Sequence, residues 1–368
     1  MQIALVSTSR IVAQAPATVR SAFDVTPTCS VHVLDLDGSY VPVRHEQVVT
    51  PQDLGMSARE LNVRAMLLES GDLARWAQPA LLRHALRASP TVLAVCAGVM
   101  LLRDPSELAE LSAEGQFALI ARSGETLPAD GAWPGPADQL TSGSYNPHLV
   151  AVTREATSFL DLWEEMAGDP LTASDRWLDT AASYLPHRAV HAARLLVSPW
   201  TGTSARIGEA PNGMLQVDDA PAVAIDLTAL DPNAPWLLNP ETNGPPRVRL
   251  SAHPGLARLV ARYANGIRAD PVLPPRSAGR SLTSLGVEVH TQLRAAFRAA
   301  LDEDPLRSLE TLPDPVDAYG SQARVSVPLP PASSAPYPAL GRFPAPATRS
   351  PPVPQATLPL APGYPVGI

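Results

Sequence analysis

The sequence predicts an α/β fold in which a mostly parallel, twisted sheet is covered by helices on both faces. Short apolar strands alternate with helical segments from the start of the chain: strand Met1–Val6, a helix to about Phe23, then strand Ser30–Leu36. Parallel strands need a crossover between them, and this succession supplies one. Thr91–Leu102 is the most hydrophobic run of the chain, which is typical of a central strand buried on both faces.

The remaining elements follow from the same periodicities. A long helical pattern covers Ala58 to Ala88, and Pro79 is the residue near which such a helix would break. Further strands are predicted at Phe117–Ala121, Leu149–Thr153 and Ala192–Val197. Further helices are predicted at Glu107–Leu111, Ser158–Met166, Asp175–Tyr184, Leu256–Ile267 and about Glu288–Leu301.

Composition changes sharply near the end of the chain. Val325–Ile368 carries 13 prolines in 44 residues, no acidic residue and two arginines. Such a segment buries too little apolar surface to offset its ordering entropy, so we expect a disordered tail. Proline-rich segments also dock in aromatic-lined grooves, which leaves a protein partner open. The sequence therefore predicts three parts: a domain over 1–270, a helical extension over 271–324 and the tail over 325–368.

Charge and cysteine content exclude several function classes. The formal net charge of -8 gives no reason to expect nucleic acid or an anionic membrane surface as a partner. The chain has no lysine, which excludes chemistry that needs a lysine amine. Cys29 and Cys96 are too few for a disulfide framework or a zinc site. No signal peptide or membrane-spanning stretch is found, so we expect a cytoplasmic protein.

The middle of the chain contains motifs that resemble those of one known protein family. The helix that leads into the central strand carries Gln78-Pro79 and Leu81-Leu82-Arg83, where that family has Lys-Pro and Leu-Leu-Arg. Downstream, SGSYNPHLVAV (Ser142–Val152) and DRWLD (Asp175–Asp179) resemble the family's Ser-Gly-x-Tyr-Asn and Asp-Gln-Arg-Trp-Leu-Asp motifs. Together these motifs resemble bacterial, actinobacterial-type GT-A glycosyltransferases. The resemblance covers roughly residues 1–267 and implies a GT-A fold and a nucleotide-sugar donor.

The departures from that family fall on its polar site positions. The family's metal-binding Asp-x-Asp corresponds to Cys96-Ala97-Gly98, which offers no carboxylate oxygen for a hard divalent cation. The family's His-Phe-x-Gly motif corresponds to Asp226-Leu227-Thr228-Ala229. The first acid of the family's Asp-Gln-Arg-Trp motif corresponds to Ser174. We therefore expect no divalent metal at the usual site.

The resemblance and the residue types together give a set of candidate site residues. Asp175 and Asp226 are candidates for a relocated catalytic acid or base, although a helix cap or surface carboxylate explains each as well. Asp35, with Asp37, could hold a diphosphate-bound cation or simply close a turn. Arg10, Arg64, Arg83 and Arg206 are candidates to replace the metal, since guanidinium binds phosphate bidentately. The expected donor-binding residues are Thr8, Ser9, Arg10, Asp35, Arg83, Cys96, Gly98, Ser142 and Asn146.

Two functions of different kinds remain open. The first is a metal-independent or metal-altered transferase that uses arginines at the diphosphate. The second is a catalytically inactive relative that acts as a binding protein or as a scaffold for an active transferase. A dehydrogenase-type nucleotide binder is the weakest alternative, because it would need a glycine-rich turn after the first strand, where Ser7-Thr8-Ser9-Arg10 stands.

Overall fold

The computed structural model describes residues 1–8, 11–168, 175–201, 205–240, 244–269, 283, 285 and 287–303. The chain divides into two units, Met1–Arg324 and Val325–Ile368, and all described residues belong to the first. The predicted disordered tail therefore lies outside the described residues. So does most of the predicted extension over 271–324, apart from residues 283, 285 and 287–303, which include its one predicted helix.

The fold is α/β, as the alternation of strands and helices predicts. The strands are β1 (Gln2–Ser7), β2 (Ser30–Asp35), β3 (Gln47–Val49), β4 (Thr91–Val95), β5 (Val99–Leu101), β6 (Phe117–Ala121), β7 (Tyr145–Thr153), β8 (Arg188–Val190), β9 (Ile207–Glu209), β10 (Leu215–Val217), β11 (Ala220–Pro221) and β12 (Ala224–Asp226). Seven of them form the main sheet in the order β3-β2-β1-β4-β7-β6-β8. Only β7 runs antiparallel to its two neighbours, so the sheet is mostly parallel.

Helices surround this sheet. They are α1 (Ala15–Val25), α2 (Ala58–Leu67), α3 (Ser70–Leu86), α4 (Ser106–Ser112), α5 (Pro136–Ser142), α6 (Thr157–Gly168), α7 (Trp177–Tyr184), α8 (Pro254–Ala269) and α9 (Thr291–Glu303). Three-residue 3₁₀ turns lie at Gln52–Leu54, Ala193–Leu195 and Leu250–Ala252.

Three element predictions need correction. The long helix breaks at Leu68 and Glu69, whose backbones are extended, and not near Pro79, which lies inside α3. Pro79 is tolerated because it is buried, and packing offsets the one backbone hydrogen bond that its ring removes. The apolar run Thr91–Leu102 forms two strands, because the chain bends between β4 and β5. The predicted strand Ala192–Val197 is instead a 3₁₀ turn followed by a single bridge from Val197 to Ile225.

Alternate residues of the central strands supply two cores, one on each face of the sheet. Val92 and Ala94 of β4 pack with α2, α3, α6 and α7. Leu93 and Val95 face the opposite side and pack with α1. A strand that is apolar at every position has to be buried on both sides, so the run in the sequence correctly predicts the central place of β4.

A third core joins the short C-terminal strands to helix α8. It contains Ile207, Val217, Ile225, Leu256 and Val260. In a two-stranded antiparallel pair, β12 lies beside β5 and matches Asp226 with Val99. This pairing brings Asp226 to the carboxyl end of β4, where the site described below is located.

Helix α9 is attached to α2 through arginine. The Arg294 guanidinium donates to the carbonyl oxygens of Ala65 and Leu68, and Arg298 donates to that of Leu67. These carbonyls lack partners within their own helix, and a cation there also opposes the negative end of the helix dipole. No described helix is long and apolar enough to cross a membrane.

Candidate functional site

A cavity of about 200 Å³ opens at the carboxyl ends of β1 and β4. Helix α3 forms one wall with Ala74, Arg75 and Gln78, and the bend after β4 contributes Cys96. His148 of β7 lines the same space. In open, mostly parallel sheets, ligands bind at this edge, which makes the cavity the candidate site.

Two arginines, the partly exposed Arg75 and the buried Arg122, meet at one carboxylate beside this cavity. Asp175 accepts hydrogen bonds from Arg75 and from Arg122, the latter at 2.6 Å, and Arg75 also bonds Asp72. The Arg122 side chain is 6% exposed, and its guanidinium lies 5.1 Å from the centre of the Trp200 ring. A guanidinium over an aromatic face gains a cation–π attraction. Asp175 thus holds two cations in place from the start of the DRWLD motif.

Burial and the nearby carboxylates act in opposite directions on these arginines. Burial lowers the pKa of Arg122, and Asp175 does not offset it fully. Burial acts in the same way on Arg75, but Asp175 and Asp72 outweigh it and raise the pKa of that group. Both guanidiniums stay charged at neutral pH, because their ordinary pKa is above 12.

A second network surrounds Asp226. Its Oδ2 lies 2.8 Å from Nδ1 of His148 and accepts from Nδ2 of Asn146 at 3.2 Å. Its Oδ1 accepts from the backbone N–H and the hydroxyl of Thr228 at 3.1 and 2.7 Å. Burial alone would raise the pKa of Asp226, but His148 and the Thr228 hydrogen bonds outweigh it and hold the pKa below the ordinary range. Asp226 is therefore an ionised carboxylate whose two oxygens are both engaged.

The Cys96 thiol lies between the two networks. Burial raises the pKa of this thiol to about 12, although Arg75 acts in the opposite direction. The nucleophilic form of cysteine is the thiolate, so a thiol with this pKa is unreactive at neutral pH. Cys96 is a small, weakly polar wall of the cavity.

Gly98 is fixed by its backbone and its neighbours. Its φ is +105°, a conformation that residues with side chains rarely adopt, and a Cβ there would lie 2.7 Å from Cα of Thr228. Its N–H donates to the Thr18 hydroxyl. The position at which the resemblance would place the second metal-binding acid therefore has no room for a side chain.

The other expected donor-binding residues divide between the cavity edge and more distant places. Asn146 contacts Asp226, and Thr8 follows β1 with a buried hydroxyl that has no hydrogen-bond partner among the described residues. Ser142 ends α5 and is half-buried. Asp35 accepts three backbone N–H groups, from Gly38, Ser39 and Tyr40, as the acid of a tight turn would. Ser9 and Arg10 lie outside the described residues.

The other arginine candidates do not line the cavity. Arg83 pairs with Glu164 at 2.5 Å and Asp161 at 2.7 Å on helix α6. Arg64 donates to the carbonyl of Gly168 and lies over the Trp76 ring, and Arg206 pairs with Asp219 at an exposed turn. Within the part of the chain that the structure describes, the arginines at the site are instead Arg75 and Arg122.

Sequence reasoning missed Arg75, Arg122 and His148. Arg75 lies in a helical pattern with no motif around it, and Arg122 follows the correctly predicted strand β6. His148 lies within SGSYNPHLVAV, a segment singled out for other residues. Side chains two residues apart on a strand point to the same face, so Asn146 and His148 share one side of β7. This alternation was the one feature of the sequence that could have associated His148 with the site.

The structure contains no group of three or more His, Cys, Asp or Glu side chains placed to hold a metal ion within the described ranges. The two aspartates at the site are occupied by arginine, histidine, amide and hydroxyl donors. Oxygen ligands suit Mg²⁺, Mn²⁺ and Ca²⁺, but here these oxygens already accept other bonds.

Comparison with known proteins gives structural similarity alone. No protein-family model matches the chain, and no curated protein is detectably similar in sequence. The galactosyltransferase LgtC, solved with donor and acceptor sugar analogues, is 11% identical over 74% of this chain and 98% of its own, with a TM-score of 0.39. The bifunctional glycosyltransferase WbbM is 11% identical over 74% of this chain and 50% of its own, at 0.42. GlyE of Streptococcus pneumoniae TIGR4 is 12% identical over 75% and 65%, at 0.38. Scores in this range assign neither an activity nor a substrate.

Proposed function

We propose that this chain is a glycosyltransferase-like binding protein that has lost glycosyl transfer. The observation that carries the proposal is the mutual neutralisation of charge at the carboxyl end of β4. Arg75 and Arg122 are bound by Asp175, and Asp226 is bound by His148, Asn146 and Thr228. A glycosyl donor needs a cation or metal at its diphosphate, and these groups are already occupied by one another.

The shape of the site supports the same proposal. A divalent metal would need carboxylates where Cys96 and Gly98 stand, and Gly98 has no space for one. The cavity of about 200 Å³ is also small. Sites for ligands of nucleotide-sugar size enclose roughly 300–1,000 Å³.

The second candidate is a metal-independent transferase, and one observation favours it. Two guanidiniums converge beside the carboxyl end of β4, which is where a cation could replace a metal. For that function, a diphosphate would have to displace Asp175 from both arginines. The diphosphate would replace the Asp175 carboxylate, so each arginine would exchange one anionic partner for another. The free energy of binding gained in this way is small compared with binding at an unpaired arginine.

Thermal unfolding of the full chain separates the two candidates. The midpoint would be measured with nucleoside diphosphates and sugar nucleotides, each with and without Mn²⁺. A ligand that binds only the folded state at 100 times its Kd stabilises by about 2.7 kcal/mol, so binding is readily seen. We expect no shift with any nucleotide. A shift with one nucleotide that does not need Mn²⁺, accompanied by release of the diphosphate from its sugar nucleotide, would establish the transferase instead.

A further inference from the structure

We infer that the cavity is a binding site for a small, uncharged ring compound that carries one hydrogen-bond donor. This inference rests on the binding role proposed above and specifies its ligand. The first argument is size. An apolar protein cavity of roughly 150 Å³ holds benzene, so about 200 Å³ suits a single substituted ring.

The second argument is the chemistry of the walls. Most of the lining is apolar, including Val6, Ile11, Ala74 and Pro147, and the Trp163 ring forms part of it. A ring compound buries most of its surface against such walls and stabilises the complex by about 25 cal/mol per Å² of apolar area. A free sugar of similar size would leave several hydroxyl groups without partners.

The third argument is one unused acceptor. Gln78 is 6% exposed and lines the cavity, and its Nε2 donates to the Ala4 carbonyl at 3.0 Å. That bond fixes the orientation of the amide, because only the NH₂ end can donate to a carbonyl. The Oε1 end accepts no hydrogen bond from any described residue. An O–H or N–H on the ligand can therefore donate to this oxygen and gain a hydrogen bond that the protein itself does not make.

The fourth argument is charge. Arg75 is bound by Asp72 and Asp175, and His148 is bound by Asp226. Among the described residues, Arg75 and His148 line the cavity and the aspartates do not, so an anionic ligand would meet only groups that already have a carboxylate partner. Burying a charge without its own partner is costly, so the site favours a neutral molecule over an anion of the same shape.

Benzamide, benzoate and toluene form a matched set of probes, and an NMR titration of the full chain gives a Kd for each. Benzamide has an NH₂ donor group and a carbonyl acceptor but no charge, benzoate has a charge and no donor, and toluene has no polar group. We expect benzamide to bind at least tenfold more tightly than benzoate or toluene. The Gln78→Leu variant should reduce the difference between benzamide and toluene to less than threefold.

Gly71 allows the cavity to be filled without disturbing the fold. It lines the cavity near the start of α3, and a Cβ added there meets nothing within 4 Å. We expect Gly71→Leu to weaken benzamide binding at least tenfold. Gly266→Leu is the matched control, because Gly266 is exposed on α8, also with nothing within 4 Å, and does not line this cavity. Its Kd should equal that of the unchanged protein.

The result that would overturn this inference is absence of benzamide binding, or equal binding by the Gly71→Leu variant. Equal affinity for benzoate would refute the charge argument and with it the ligand class. These failures differ from failure of the proposed function, which would show as nucleotide binding in the thermal unfolding series. The same protein preparation serves both measurements, and the cooperative unfolding of each variant verifies that it is folded.

Discussion

Helix α3 places two arginines in different surroundings. Arg75 lies near its start, at the cavity, and shares Asp175 with the buried Arg122. Arg83, eight residues later, bonds Asp161 and Glu164 of α6 with its side chain 33% exposed. Both have two carboxylate partners, so the number of ion pairs does not distinguish them. The Arg75 side chain is 27% exposed, so the arginines themselves differ little. What differs is the exposure of their partners, which is 15% and 19% for Asp175 and Asp72 but 70% and 40% for Asp161 and Glu164.

That difference decides what each arginine can do. An exposed pair gains little free energy, because water solvates the charges almost as well as the partner does. A buried pair is strongly dependent on its partner, since removal of one charge leaves the other without solvent or counter-ion. The buried network therefore maintains the shape of the cavity, whereas the exposed one mainly attaches α6 to α3.

The largest effect is expected from Asp175→Ala. This change removes the shared partner of Arg75 and Arg122, and we expect a loss of about 3–5 kcal/mol in the free energy of unfolding. Urea denaturation measures it. Asp161→Ala, at the exposed end of α3, is the control, with an expected change within about 0.5 kcal/mol. Similar losses in the two variants would show that burial does not distinguish the two networks.

A smaller effect is expected at the glycines around the cavity. Gly98→Ala forces a Cβ to within 2.7 Å of Thr228 at a positive φ, and we expect a loss of about 2–4 kcal/mol. Gly71→Ala enters open space on the same cavity and should be neutral or stabilise by up to about 1 kcal/mol. Both are measured by urea denaturation. A tolerated Gly98→Ala would contradict the close approach of Thr228 and reopen the position to a metal-binding acid.

The sequence predicted the scaffold better than the site. Apolar periodicity is local, so it identified β4 as the central strand and located most helices. The pairing of Asp226 with His148 joins residues 78 positions apart through two strands of different sheets. No local pattern specifies such a contact. The resemblance drew attention to Asp226 and Asp175, which lie in the two networks beside the cavity, but it attached no importance to Arg122.

Arg75 and Arg83 show why the sequence could not identify which arginine of α3 lies at the site. Eight residues on a helix correspond to a rotation of about 80° and a rise of about 12 Å. Arg75 and Arg83 therefore meet different neighbours, although both occur in the same helical pattern. Motif similarity selected Arg83, and only the packing of α3 against α6 places it away from the cavity. Which face of a helix meets a site depends on tertiary packing.

The hydrogen bonds around Asp226 make the stability of the protein depend on pH. Because the folded pKa of Asp226 is below the ordinary 3.8, the folded state resists protonation, and this group stabilises the protein above about pH 4. That contribution is lost as the pH falls below 4. We expect Asp226→Asn to lose about 1–3 kcal/mol at pH 7, with the difference from the unchanged protein shrinking towards pH 2.5. Urea denaturation across this range measures it, and a constant difference would contradict the role of charge.

The smallest effect is expected from Arg83→Ala. Both of its partners lie on α6, and Asp161 is 70% exposed, so water replaces the guanidinium at little cost. We expect the free energy of unfolding to fall by less than about 1 kcal/mol. The Kd for benzamide should be unchanged, since Arg83 does not line the cavity. If Arg83→Ala weakened benzamide binding without a loss of stability, the ion pairs of Arg83 with α6 would influence the position of Trp163 at the cavity. The two ends of α3 would then not be independent of each other.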